Sequence, residues 1–325
     1  MKNKLCISIG DINGVGIEML LNIYDKSNNN NFILFTNLNI FERYLIKNNI
    51  KIKINVVNKN NNLKFDKDKI NIYDFKASNY DENTFKSIKQ SYYFCLNNSN
   101  MGLITLPLNK KLISNKFKSF IGHTEYLEKL SKSKTSNMIF ILNKLIISTL
   151  TTHLPINKIR RKISNKNFIF EKVITLNNTL KKDFKIKKPK ILISGMNPHA
   201  GENGYIGNEE IKYIIPQIIK LKKHKVNIHG PISGDSMLTK YNLQKYDCFL
   251  FVFHDQGLIP FKYISNFQGV HYTSNLKILR VSPDHGTAYD LVGKNVASNK
   301  SLLNCFKFIK KINKNRNNWK TQKKI

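Results

Sequence analysis

The chain has 325 residues, 41% of them hydrophobic and 11% aromatic, which supports one large or two modest cores and excludes a disordered chain. Its formal net charge of +33 is spread as Lys along the whole length beside abundant Asn and Ile, with no RNP, zinc-finger or arginine-rich motif. That pattern speaks against a dedicated nucleic-acid binder and for the bias of an A+T-rich genome, while still favouring anionic small ligands.

In chain order, strands are expected at Leu5–Ile9, Phe32–Phe35, Lys53–Val57, Gly102–Thr105, Lys190–Ser194, Lys225–His229 and Cys248–Phe253, where short apolar runs are bounded by turn residues. Helices are expected at Ile17–Tyr24, Asn39–Lys47, Thr124–Ser131 and Glu209–Lys222. The last carries an apolar stripe of Ile211, Ile214, Ile215, Ile218, Ile219 and Leu221 to lie on a sheet, with a kink at Pro216. Strands alternating with helices make this an α/β chain with a largely parallel sheet. The Asn/Lys-rich Asn58–Lys69 and the basic Lys158–Asn167 read as solvated loops, and the basic end Lys307–Ile325 as a solvated helix with a frayed tail. The apolar stretch Met138–Leu150 is broken by Asn143-Lys144 and falls short of the roughly 20 residues that span a bilayer, so it reads as buried structure. The basic Met1–Lys4 meets Gly10-Asp11 before a signal segment is complete, and Cys6, Cys95, Cys248 and Cys305 form no CxxC pair. A cytoplasmic protein without disulfides or a membrane partner is expected.

Three of the eight histidines follow apolar runs at their carboxyl ends: His153 after Leu145–Thr152, His199 after Ile191–Pro198, and His254 after Cys248–Phe253. Ligands of open α/β sheets bind outside the carboxyl ends of strands, so these side chains can converge on a divalent metal with an open coordination position. Singly, each reads as a strand-end histidine making an ordinary hydrogen bond; the equivalence of the three positions points to the metal. Asp235 and Asp255 are candidates to orient those ligands or to handle protons, or are helix caps. The loop Gly10-Asp-Ile-Asn-Gly-Val-Gly16 has neither GxGxxG nor Walker A spacing and reads as a tight βα turn that could also offer N–H groups to an anion.

The segments Ser194-Gly-Met-Asn-Pro-His-Ala-Gly-Glu-Asn-Gly-Tyr-Ile-Gly-Asn-Glu-Glu, Phe253-His-Asp-Gln-Gly-Leu-Ile-Pro-Phe-Lys, Asp284-His-Gly-Thr-Ala and Ile121-Gly-His-Thr-Glu closely resemble the 4-hydroxythreonine-4-phosphate dehydrogenases, the PdxA family of pyridoxal 5′-phosphate biosynthesis. The resemblance runs in order from Ile7 to about Phe308. It implies two α/β/α lobes like those of isocitrate and isopropylmalate dehydrogenases, with the active site in the cleft; we place one lobe at 1–115 with 245–325 and the other at 116–244. It also implies a homodimer whose metal, Zn²⁺ before Mg²⁺, Mn²⁺ or Co²⁺, is held by His153 and His199 of one subunit and His254 of the other. Substrate contacts carry over to His123, Thr124, Lys262 and Arg280, the last two as partners for phosphate and carboxylate. His285, Gly286 and Thr287 are assigned to NAD or NADP, and His123 and Asp235 are the candidates for taking the hydroxyl proton.

Where the family usually has Gly-Val-Asn this chain has Gly269-Val270-His271, which sets His271 among the substrate contacts and puts substrate preference at that point in question. The reaction implied is oxidation of 4-phosphooxy-L-threonine to a β-keto acid that loses CO₂. A paralogue acting on a sugar-acid phosphate such as D-threonate 4-phosphate, an enzyme weakened by drift, and a basic nucleic-acid binder on the same scaffold are the rival readings.

Overall fold

The computed structural model describes residues 4–26, 31–57, 65–98, 100–117, 120 and 122–322. Its strands are, in chain order, β1 (Leu5–Ser8), β2 (Phe32–Phe35), β3 (Ile54–Val56), β4 (Ile70–Tyr73), β5 (Gly102–Thr105), β6 (Met138–Leu142), β7 (Leu145–Thr149), β8 (Lys190–Ser194), β9 (Asn227–Ile232), β10 (Cys248–Phe251), β11 (Val270–Thr273) and β12 (Leu279–Pro283). The chain divides into two compact units, Met1–Lys132 with Leu276–Asn313, and Ser133–Asn275 with Lys314–Ile325.

In the first unit the strands run β3-β4-β2-β1-β5-β12, all parallel. β1, β2 and β5 are buried along their whole length, as short apolar runs covered on both faces should be. β4 escapes the apolar pattern because Asn71 sits in its middle, fully buried, with its amide bonded to the main chain of Asp66 and to Asn55. Helix Tyr80–Asn97 escapes it too, because its buried face includes Asn83, Thr84, Ser87 and Ser91. Those small polar side chains bind strand ends: Ser87 Oγ accepts from Ile9 N (2.9 Å) and donates to Phe35 O (2.6 Å). Asn79 caps the helix by accepting from Glu82 N, while Glu82 Oε2 accepts from Ser78 N, two reciprocal bonds that fix where it starts.

In the second unit the order is β11-β6-β7-β10-β8-β9, with β6 antiparallel to both its neighbours and the other pairs parallel. The buried stretch at Met138–Leu150 is a hairpin, turned at Asn143-Lys144 with Asn143 left-handed. β10 lies between β7 and β8, which puts residues 245–275 in this unit. Helix His123–Ser131 packs Tyr126 and Leu127 into the core around Cys6, Phe35 and Leu103. The units therefore part at 132/133 and 275/276, not at the expected 115/116 and 244/245.

Other expectations change in detail. Residues 58–64 of the Asn/Lys-rich loop lie outside the described residues, as do Met1–Asn3 and the last three residues of the tail. Lys158–Asn167 is not a solvated loop: helix Ile156–Ile163 fills most of it, anchored by buried Ile159 and Ile163, with Arg160, Arg161 and Lys162 at the negative end of the helix dipole. The Glu209 helix begins as a π turn, Glu210–Ile214, before the α segment Ile215–Lys223, so the irregularity at Pro216 takes the form of a widened turn. Only half of its stripe is buried; Ile211, Ile215 and Ile219 are 47%, 37% and 52% exposed.

The basic tail is anchored as well. In helix Lys300–Gln322, Ile309 and Ile312 are buried, and Arg316 Nε and Nη2 donate to Asp183 Oδ1 (2.6 Å) and Oδ2 (3.1 Å). Tyr272 OH completes the set, donating to Asp183 Oδ2 (2.6 Å) and accepting from Arg316 Nη2 (2.9 Å). Several helices close on a left-handed residue that is not glycine: Lys132 after His123–Ser131, Lys185 after Phe168–Phe184 and Asn266 after His254–Ser265.

Candidate functional site

In the second unit, β8 ends at Ser194 and the chain enters the segment that carries His199. His199, Ala200, Gly201, Glu202 and Asn203 have φ of 51, 51, 80, 43 and 56°, a run of five left-handed residues of which one is glycine. The turn is fastened from its flank. The buried carboxylate of Glu210 accepts from Met196 N (2.7 Å) and Asn197 N (2.8 Å) on Oε1 and from Asn197 Nδ2 (2.9 Å) on Oε2. A Cβ at Gly201 would lie 2.5 Å from Gly207 O and 2.7 Å from Glu210 Oε2, so glycine is required by contact as well as by φ. His199 so placed borders a cavity of about 660 Å³ shared with Asp235, Phe253, Asp255 and Gln256. Hydrogen bonds from Ser233 and Ser236, with His199 adding to them, lower the Asp235 pKa.

β7 and β10 lie side by side and deliver the other two histidines. Leu150 N and Thr151 N continue the pairing beyond β7, bonding Phe251 O and Val252 O, and His153 follows two residues later. His254 is the first residue of helix His254–Ser265. The two rings are 5.5 Å apart between centroids and tilted by 41°. Two imidazoles sharing a tetrahedral ion at metal–nitrogen distances of about 2.0–2.1 Å would have centroids roughly 5 Å apart. The observed separation is close to that value, and Nδ1 of His254 lies 2.6 Å from Asp255 Oδ1. His199 does not join them: among the described residues of one chain, no group of three His, Cys, Asp or Glu could hold a metal.

Gln256 ties these elements together. Its Oε1 accepts from Ser194 Oγ (3.0 Å) and Val252 N (3.0 Å), and its Nε2 donates to Gly195 O (2.9 Å), joining the start of the His254 helix to the end of β8. Two turns along that helix, Lys262 Nζ lies 4.8 Å over the Phe267 ring. His271, in β11, stacks on its cross-strand neighbour Phe140 at 4.8 Å and 15°.

The first unit holds the remaining candidates. Arg280 is fully buried in β12, donating from Nε (3.1 Å) and Nη2 (2.5 Å) to Thr105 Oγ1; burial lowers its pKa to about 10, which leaves it charged at neutral pH. His123 opens helix His123–Ser131 beside buried Thr124, while Ile121 of the same motif lies outside the described residues. The His123 side chain is half-buried, but its Nε2 is enclosed and has no hydrogen-bond partner among the described residues. Burial, then the positive Arg280 and Lys110, hold its pKa well below the usual histidine range, so the ring is neutral and free to bond a ligand.

His285, Gly286 and Thr287 form a loop against the first βα turn. Thr287 O accepts from Val15 N (2.9 Å), and a Cβ on Gly286 would meet nothing within 4 Å. The N–H groups of Asp11, Asn13, Gly14 and Val15 are all bonded within the protein, to Pro107 O, Asp11 Oδ1, Asp11 O and Thr287 O. The glycine-rich loop is accordingly the tight turn.

The family model described as "Pyridoxal phosphate biosynthetic protein PdxA" matches residues 28–309, most of the chain. The chain belongs to the PdxA family. Two relatives named 4-hydroxythreonine-4-phosphate dehydrogenase, from Sulfurihydrogenibium sp. and Wigglesworthia glossinidia brevipalpis, are 34% and 35% identical; each match covers 92% of this chain and 95% and 93% of the relative. Among solved structures, the 4-hydroxythreonine-4-phosphate dehydrogenase of Klebsiella pneumoniae shares the fold at TM-score 0.82 and 24% identity, over 96% of this chain and all of that one. The enzyme of the same name from Burkholderia phymatum superposes at 0.73 with 26% identity, over 96% and 98%. Within the PdxA segments, sequence reasoning passed over Asn197, Glu210 and Gln256, although each stands inside a quoted motif; hydrogen bonds to the main chain reveal them.

Proposed function

We propose that the chain is a nicotinamide-dependent dehydrogenase that oxidises 4-phosphooxy-L-threonine to 2-amino-3-oxo-4-phosphooxybutanoate, which loses CO₂ to give 3-amino-2-oxopropyl phosphate. The observation that carries this reading is the full-length match to relatives named for that reaction, with the motif histidines, His153, His199 and His254, standing just past the carboxyl ends of β7, β8 and β10. Arg280 and Lys262 serve the phosphate and carboxylate, Arg280 held rigid by Thr105. The neutral His123, with Thr124 beside it, bonds a substrate hydroxyl through Nε2, and Asp235 steadies His199. The loop at His285, Gly286 and Thr287 takes NAD or NADP. A divalent ion bound by the three histidines supplies Lewis acidity at the hydroxyl and the ketone formed from it, and the nicotinamide supplies the hydride acceptor.

The pairing of His153 with His254 in one chain supports a ligand set completed by His199 of a second copy, in place of the His153–His199 pairing implied by the resemblance. A homodimer also suits the second unit's exposed Tyr205, Ile259 and Tyr263, at 90%, 71% and 88%.

Purified protein is tested for NADH or NADPH formation with 4-phosphooxy-L-threonine, before and after chelation and restoration of Zn²⁺, Mg²⁺, Mn²⁺ or Co²⁺. Metal-dependent reduction is expected. No reduction from folded, metal-loaded protein would overturn the assignment, and turnover of D-threonate 4-phosphate in the same assay would replace it with the sugar-acid reaction.

A further inference from the structure

Resting on the reading of His199 as a metal ligand, we infer that Glu210 is the residue that positions it. A run of left-handed residues is a conformation that side chains other than those of Gly and Asn disfavour, and His199, Ala200 and Glu202 adopt it here. Something outside the turn must hold it, and the contacts converge on Glu210. Both its oxygens are used, Oε1 by two main-chain N–H groups and Oε2 by the Asn197 amide, and Gly201 packs directly on Oε2.

The donor and acceptor pattern is locked in one arrangement. Asn197 Nδ2 also donates to Glu209 Oε2 (2.8 Å), and Glu209 is paired with Arg160 at 3.0 Å. An amide at position 210 would set its NH₂ against Asn197 Nδ2. Asn197 could turn over to accept from that NH₂ only by setting its own Oδ1 against Glu209 Oε2, acceptor against acceptor. Glu210→Gln therefore breaks the clamp while conserving volume. With the clamp loose, the turn relaxes towards ordinary backbone angles and His199 leaves its place at the cavity.

The test is Co²⁺ binding to the full chain, by calorimetry and by the visible absorption of the ion, which reports how many ligands it has and in what geometry. Glu210→Gln is expected to lower Co²⁺ affinity by about 10–100-fold, the range for groups that orient metal ligands. Its absorption band should shift towards that of His199→Ala, while far-ultraviolet circular dichroism stays that of the parent. Glu202→Gln, an exposed carboxylate on the same turn, should bind Co²⁺ as the parent does. Parent-like affinity and spectrum in Glu210→Gln, with affinity lost in His199→Ala, would overturn the positioning role alone. Parent-like binding by His199→Ala would overturn the ligand reading beneath it. Should Glu210→Gln fail to fold, Asn197→Ala removes one donor from the clamp and is expected to weaken Co²⁺ binding in the same direction; no change there would also refute the role.

Discussion

Replacing Asp183 by Asn should be among the most damaging single changes in the second unit. The carboxylate is 2% exposed and receives three hydrogen bonds, two from Arg316 and one from Tyr272. Asparagine fills the same space but turns an NH₂ towards the guanidinium and leaves that cation largely enclosed without a counter-charge. Breaking one side of a buried pair costs about 3–5 kcal/mol, whereas Tyr272→Phe removes one bond to the carboxylate and one from the guanidinium but strands no charge, and should cost less. For a unit of this size the first corresponds to roughly 6–20 °C in Tm. The combined change Asp183→Leu, Arg316→Met and Tyr272→Phe removes every member and should cost less than Asp183→Asn alone, because no charge is stranded. Trp319, the chain's single tryptophan, lies one turn beyond Arg316 and reports unfolding locally by its fluorescence in urea. A cost below about 1 kcal/mol for Asp183→Asn, or a triple variant worse than the single one, would refute the account.

Two further outcomes are expected. His123 has a folded pKa below that of the unfolded chain, so the unfolded state takes up its proton first, and stability is lost as pH falls from about 6.5 towards the folded value, by up to about 1.4 kcal/mol per pH unit. Denaturation series between pH 7 and 5 should show a shallower loss in His123→Gln; an unchanged slope would disprove the burial of a neutral ring. Gln256→Leu leaves Gly195 O without its donor and should cost about 1–3 kcal/mol. It should also reduce kcat/KM for the proposed reaction, by misplacing the start of the His254 helix; unchanged kinetics would show that this bridge is dispensable.

The strands were legible where burial on both faces demands continuous apolar runs, as at Phe32–Phe35 and Cys248–Phe251. The three histidines were legible because each follows such a run. Elements that bury polar residues were hidden: helix Tyr80–Asn97 seats Ser87 and Ser91 against strand ends, and β4 encloses Asn71. The helix over Ile156–Ile163 was masked by its own positive charges, and Arg316 by the lysines around it. The left-handed turn at His199 had no local signal beyond Gly201 and Gly204, because its cause lies in Glu210, on the following helix.

The lysines at left-handed helix ends have a further consequence. Lys132 and Lys185 occupy positions where glycine is the ordinary residue and where an L side chain other than Asn costs about 1–2 kcal/mol. Asn49, Asn100, Asn143, Asn203, Asn266, Asn275 and Asn295 occupy left-handed positions at little penalty. Asn therefore sits at these turns at little cost, whereas Lys at a helix end carries a standing thermodynamic handicap. The backbone at these two helix ends would suit glycine better, and Lys132→Gly and Lys185→Gly are the changes that would recover that cost.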